Sequence, residues 1–179
     1  MGRFVGLLRG INVGGRNVIP MRELNSCVQQ AGFSNVTTYI QSGNVLFETR
    51  ATSITRITKK LEIALAERFD YLARVVVLSK NEYLEAVEKA HKTWGQQEGW
   101  KHNAMFLTDD LEPATVLDEL PKVNSKIERV SMAKRVIFWS ANIEKIQSST
   151  MMKLAKSKMY QQLTVRNHKT TFKLVDLLN

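Results

Sequence analysis

The residues best placed to do chemistry lie early in the chain, in Leu7–Asn17, LLRGINVGGRN. An apolar strand runs into a loop carrying Gly10, Gly14, Gly15 and Arg16, and Pro20 opens a helix soon afterwards. A strand, flexible turn and helix start of this kind can hold an anion on backbone N–H donors. Gly10, Gly15, Arg16 and Asn17 approach the spacing of a phosphate loop, in which lysine and a hydroxyl residue follow the last glycine. The match fails where nucleotide hydrolysis needs it. Arginine replaces lysine, Asn17 replaces the magnesium-binding hydroxyl, the helix starts late, and RVVVLS (Arg74–Ser79) offers no carboxylate for a metal. Binding without hydrolysis remains. Ile19, before Pro20, is a poor N-cap, so the first-turn N–H groups are expected to lack a side-chain acceptor, and Arg16 can add a charge-assisted hydrogen bond. A purely structural reading stands beside this one: the glycines permit positive φ in a tight connection, and Asn and Ser satisfy local backbone groups.

Other reactive side chains point to less. Cys27 shares helical spacing with Met21, Leu24, Val28 and Ala31, which favours packing over catalysis, and a single cysteine excludes an intrachain disulfide. His91, His102 and His168 show no metal-ligand spacing with one another or with Cys27, so no metal site is expected. Ser42 has no histidine or carboxylate close in sequence to suggest an activated nucleophile. Adjacent Asp109 and Asp110, before a helix, read as charges that complement its dipole. No cofactor is implied, and an enzyme of unrecognised class stays an open alternative.

The net charge of +9 is concentrated at one end. Residues 1–120 hold 14 Lys and Arg against 14 Asp and Glu, whereas residues 121–179 hold 12 against 3. Within that basic third, Lys153, Lys156 and Lys158 follow a Ser-Ser-Thr cap, and Arg166, Asn167 and Lys169 surround a helix start. Asn167 is a good N-cap, but Arg166 and Lys169 set positive charge against the positive end of the dipole. Asp109, Asp110, Asp176 or a bound phosphate would relieve the conflict. These six residues are candidate anion or nucleic-acid contacts. Lysines alone would bind a nucleic-acid backbone weakly and without sequence preference.

Positioning these groups requires a fold, which the patterning supplies. Strands are expected over Gly2–Gly10, Ser34–Ile40, Val45–Thr49 and Arg74–Ser79, with helices over Met21–Ala31 and from Ser53 to Phe69. After a helical stretch from Lys80 to Lys92 and a polar connection, strands over Asn103–Asp109, Lys126–Met132, Lys134–Ser140 and Leu163–Asn167 alternate with helices over Pro113–Leu120, Ser149–Tyr160 and His168–Leu178. Each half reads β-α-β-β-α-β, the order of a ferredoxin-like unit. The expected class is therefore α+β: two ferredoxin-like halves, 1–79 and 102–179, joined by a linker helix and loop over 80–101. Strands apolar on both faces, such as Val75–Leu78, imply that the second face of each sheet is covered. In such a unit the first and second strands are parallel, so the loop after the first strand and the hairpin between the second and third share one rim. That would gather Asn12, Gly14, Gly15, Arg16 and Asn17 with Gln41, Ser42, Gly43 and Asn44.

LLRGINVGGRN, the following VIPMREL, TYIQSGNVLF and the late VRN before a terminal helix together resemble the bacterial DUF1697 family, a domain of unknown function. The resemblance covers essentially the whole chain, and Arg16 stands where that family more often shows lysine. It implies a pair of ferredoxin-like subdomains and supplies no activity, cofactor or catalytic residue. With no apolar run of membrane length and no signal-like start, the expectation is a cytoplasmic protein that binds a small anionic or nucleotide-like ligand at the glycine-rich rim, with nucleic-acid contact through the basic third as the alternative. Nothing in the sequence requires an oligomer.

Overall fold

The computed structural model describes residues 1–70, 72–108 and 110–179. The chain forms two compact units, Met1–Tyr83 with Leu177–Asn179, and Leu84–Asp176. The structure is of mixed α+β class with two four-stranded antiparallel sheets. No helix is long and apolar enough to cross a membrane among the described residues.

The first unit contains β1 (Gly2–Leu8), α1 (Met21–Gln30), β2 (Ser34–Tyr39), β3 (Asn44–Thr49), α2 (Ile54–Phe69) and β4 (Val75–Ser79). The sheet order is β2-β3-β1-β4, with β1 antiparallel to both neighbours. Period-two alternation sorts its side chains. Phe4, Leu8, Val45, Phe47, Val75 and Val77 join Leu24, Cys27 and Val28 of α1 and Ile57, Leu61 and Leu65 of α2 in one core. Residues of the opposite face, Val5, Leu7, Leu46, Val76 and Leu78, are buried as well, so this face is covered. Ser53 caps α2 as expected, its hydroxyl accepting from Arg56 N. Pro20 differs from expectation. It is the extended residue before α1 and not the first helical one, and it supplies no side-chain cap.

The second unit contains β5 (Trp100–Leu107), α4 (Pro113–Asp118), β6 (Glu128–Ala133), β7 (Val136–Asn142), α5 (Thr150–Leu154), β8 (Leu163–Asn167) and most of α6 (His168–Leu178); α3 (Lys80–Glu88) precedes it and runs into it. Its order is β6-β7-β5-β8. Met105, Leu107, Ile137, Trp139 and Leu163 pack with Val116, Met151 and Leu154 on one face. Trp94 lies against Phe138 and Phe172 on the other, with ring centroids 5.1 and 5.3 Å apart.

Two expected elements are redrawn. Lys134 and Arg135 do not begin β7 but form the two-residue turn between Ala133 and Val136, with Arg135 in the left-handed region at φ +61°. The helix expected over Ser149–Tyr160 is only α5, followed by a turn and a 3-10 segment over Lys158–Gln162. An uninterrupted helix would turn Ser157 and Lys158 toward the core, three and four residues after buried Leu154. Breaking it brings Met159 and Tyr160 against that core instead.

Glu128 holds this unit together from inside. Its carboxylate, 1% exposed, accepts from Trp139 Nε1 at 2.9 Å, Asn124 N at 3.2 Å and both the backbone N and Oγ1 of Thr150 at the start of α5. A buried carboxylate is tolerated only when so many donors satisfy it. Glu128→Ala leaves these donors unpaired and is expected to cost about 3 kcal/mol or more, read as a lowered urea midpoint; an unchanged midpoint would contradict this role.

Candidate functional site

Three connections of the first unit emerge at one end of its sheet because β1 runs antiparallel to both neighbours. Leu7 pairs with Asn44 and Leu8 with Val75, so the end of β1 meets the starts of β3 and β4. Leu8 N donates to Gly43 O at 2.8 Å and Arg9 N to Arg74 O at 2.9 Å. The segment after β1, the β2–β3 turn and the approach to β4 therefore form one rim.

The glycine-rich segment is a small β finger and not a loop wrapped around a helix start. Val13 and Arg16 bridge, Arg16 N donating to Val13 O at 3.1 Å, while Asn12 N donates to Asn17 O at 3.1 Å. Gly14 and Gly15 at the tip have φ of +57° and +74°, signs that a type I′ hairpin turn demands and glycine meets without strain. Asn12 and Asn17 take the left-handed region at +54° and +47°, which asparagine tolerates better than most residues. Their side chains are spent on the finger's base. Asn12 Oδ1 accepts from Ile19 N at 2.8 Å, and its Nδ2 donates to Ile19 O and, at 2.8 Å, to Gln41 O across the rim. Asn17 Nδ2 donates to Gly10 O at 2.9 Å.

All nine residues expected at the rim are brought to it, Gln41 through its carbonyl, but in two different roles. Asn44 is fully buried, its Nδ2 donating to Tyr39 O and Ser42 Oγ. Gly43 is a close approach: a Cβ there would lie 2.6 Å from Ile11 Cδ1 and 2.8 Å from Leu8 Cβ. Asn12, Asn17, Gly43 and Asn44 thus build the rim, and Ser42 is half-buried beside them. Gly14, Gly15 and Arg16 are exposed, with open space where either glycine's Cβ would stand. The start of α1 lies five residues beyond Arg16, without a side-chain cap, and Glu23 in its first turn pairs with Arg68. Val13, Val18 and Ile40 add exposed apolar surface.

The basic residues of the second unit are separated by the broken helix. Lys153 lies in α5, Lys156 in the turn and Lys158 in the 3-10 segment, all exposed. Arg166 is 5% exposed and donates to Thr164 Oγ1 at 2.8 Å and Val165 O at 2.9 Å, so it is built into β8. Asn167 caps α6 as expected, accepting from Thr170 N at 2.8 Å, and Lys169 is exposed. Among the acids considered as counter-charges, Asp110 is exposed, Asp176 lies 3.8 Å from Lys173, and Asp109 falls outside the described residues.

Spacing along the chain gave no hint of one further cluster. The three histidines converge in the second unit. His91 Nε2 and His102 Nδ1 lie 2.8 and 2.7 Å from Ser140 Oγ, and the rings of His102 and His168 are 5.5 Å apart. Alternation along β5 and β7 was the available signal, since it puts His102 and Ser140 on one face as opposed residues. Among the described residues no group of three or more His, Cys, Asp or Glu is arranged to hold a metal. Cys27 is buried, donates to Ala64 O at 3.4 Å, and has its pKa raised by burial, which keeps it a thiol.

The fold and rim define an α+β protein of two four-stranded antiparallel sheets whose glycine finger is braced by asparagines. A family model described as "Protein of unknown function (DUF1697)" matches residues 1–138, and the chain belongs to that family. It is similar, at 28% identity and a TM-score of 0.87 over 99% of both chains, to the conserved bacterial protein SP0830 from Streptococcus pneumoniae. No curated protein matches the chain.

Two substitutions test how the rim is built. Asn12→Ala removes both the acceptor of Ile19 N and the donor to Gln41 O, and Gly43→Ala forces a Cβ into Ile11 and Leu8 at φ +75°. Each is expected to destabilise the first unit by about 1–3 kcal/mol in thermal or urea unfolding, whereas Gly10→Ala, in open space, is expected to cost less than Gly43→Ala.

Proposed function

We propose that this protein binds a small anionic ligand, with a phosphate-bearing or nucleotide-like molecule the preferred chemistry, at the rim of the first sheet. The observation that carries the reading is the exposed Gly14–Gly15–Arg16 tip, on a hydrogen-bonded base, at the same end of the sheet as Arg9 and Arg74. Open glycines let a ligand approach the backbone closely, and arginine adds paired, charge-assisted donors. The bracing by Asn12 and Asn17 supports it, since a contact surface held in place before binding loses less entropy on association. We read each sheet, with strand order 2-3-1-4 in its own numbering and its crossing helices, as a ferredoxin-like unit that serves as the rigid support.

This reading asks less of the start of α1 than the sequence suggested, because Glu23 and Arg68 already neutralise one another there. Binding is carried by the finger and its neighbouring arginines.

Calorimetric titration with inorganic phosphate, pyrophosphate and ATP tests it. Saturable binding is expected, weakened about tenfold by Arg16→Ala or Arg74→Ala, which corresponds to about 1.4 kcal/mol per lost contact. It is expected to be unaffected by Lys153→Ala with Lys156→Ala. No binding of any of the three, or binding that follows the lysines and not Arg16, would overturn it.

A further inference from the structure

The second unit carries a hydrogen-bond chain whose donors and acceptors can be ordered in only one way when its rings are neutral. His102 Nε2 lies 3.2 Å from Gln97 O, and a carbonyl only accepts, so that nitrogen carries the ring hydrogen. His102 Nδ1 is then an acceptor and takes the hydroxyl hydrogen of Ser140 at 2.7 Å. Ser140 Oγ, its one hydrogen used, accepts from His91 Nε2 at 2.8 Å. His91 Nδ1 is left to accept from Thr93 Oγ1 at 3.2 Å. The order runs Thr93 to His91 to Ser140 to His102 to Gln97, and each member is satisfied.

Both ends of this chain belong to one segment, residues 91–97, which crosses the face of the sheet opposite the α4–α5 core. Thr93, His91 and Gln97 lie on the segment, whereas Ser140 and His102 lie on β7 and β5. His91 N also donates to Ser131 Oγ at 3.0 Å, and Gln97 Oε1 accepts from Arg129 at 2.8 Å. The Trp94 side chain, between them, is held by ring contacts: its buried indole N–H has no acceptor among the described residues. The histidine chain, with the Ser131 and Arg129 bonds, is thus the polar fastening of a strap.

Proton counting shows when it fails. A first proton is accommodated, because His91 can change tautomer, turn an N–H on Thr93 and accept from Ser140. With both rings protonated, His91 Nε2–H and His102 Nδ1–H point at the same Ser140 oxygen, and the Ser140 hydrogen has no acceptor. Ser140 is fully buried, so that loss is not repaired by solvent. The charged groups acting on the outer rings are basic: Arg129 of β6 and His102 on His91, and Lys169 of α6 and His102 on His168. Lys92 on the strap and Glu98 just after it are exposed.

We propose that His91, Ser140 and His102 form a pH-sensitive latch that holds the 91–97 strap on the second sheet while at most one of its two rings is charged and releases it when both are. Burial, reinforced by these basic neighbours, lowers the pKa of His91 and of His168 below 6.5. The sign follows. Released from that burial, His91 takes up a proton more readily in the opened strap than in the closed one, so the latch is fully closed above about pH 6.5 and weakens as pH falls below it.

Hydrogen exchange of the wild-type protein between pH 5 and 8, corrected for intrinsic rates, tests the latch. The opening constant of the His91 amide, which donates to Ser131 Oγ of β6, is expected to be flat above pH 7 and to rise below pH 6.5 by up to about tenfold per pH unit. His91→Gln keeps an amide donor for Ser140 but takes no proton, and is expected to flatten the profile. A flat wild-type profile, or an unchanged slope in His91→Gln, would overturn the proposal. Ring nitrogen NMR of the wild-type protein at pH 8 decides it even where the variant does not fold: hydrogens on Nε2 of both His91 and His102 are required, and a hydrogen on His102 Nδ1 rules the latch out.

Discussion

A strand paired antiparallel on both sides must send the connections of both neighbours to its own ends. β1 is such a strand, and the rim of the first unit follows from that pairing. Leu8 reaches Gly43 on one side and Arg9 reaches Arg74 on the other through backbone bonds, so residues far apart in sequence meet without a dedicated side-chain contact. What the side chains add is definition. Asn12 bonds to two different segments, and Gly43 lets the turn close onto Leu8 and Ile11. Backbone topology chooses the place, and a few small or amide residues choose its shape.

The two units solve the problem of a sheet with two apolar faces with different chemistry on their polar positions. In the second, one face carries Glu128 beneath α5 and the other carries Ser140 beneath the 91–97 segment. Both are buried polar groups satisfied by several partners, which is what makes them specific: a misregistered strand would leave them without those partners. Their responses differ. Glu128 is served by fixed donors, whereas Ser140 stands between two imidazole rings, each able to donate or accept according to its tautomer.

Much of this was legible in the sequence, because the strands β1, β4, β7 and β8 are marked by β-branched and apolar runs and the long helices by their spacing and caps. The shared rim followed from element order. The finger did not, since Gly-Gly beside an arginine fits a phosphate loop and a hairpin tip equally well until the hydrogen bonds of Asn12 and Asn17 are known. The helix after Ser149 was overextended because Leu154 and Met159 fit a continuous pattern, while the cost of turning Lys158 inward depends on what lies beneath it. The histidine cluster was hidden most completely. His91 and His102 are 11 positions apart and His102 and Ser140 are 38 apart; strand pairing closes the second gap and the path of the 91–97 segment the first.

Cys27 gains a use from its position. It is the only cysteine, it lies in the first unit, and its thiol hydrogen bridges α1 to the backbone of α2 at Ala64. A thiol kept protonated and 3% exposed reacts only when those helices part. Its alkylation rate is therefore a clock, already installed, for the parting of α1 and α2.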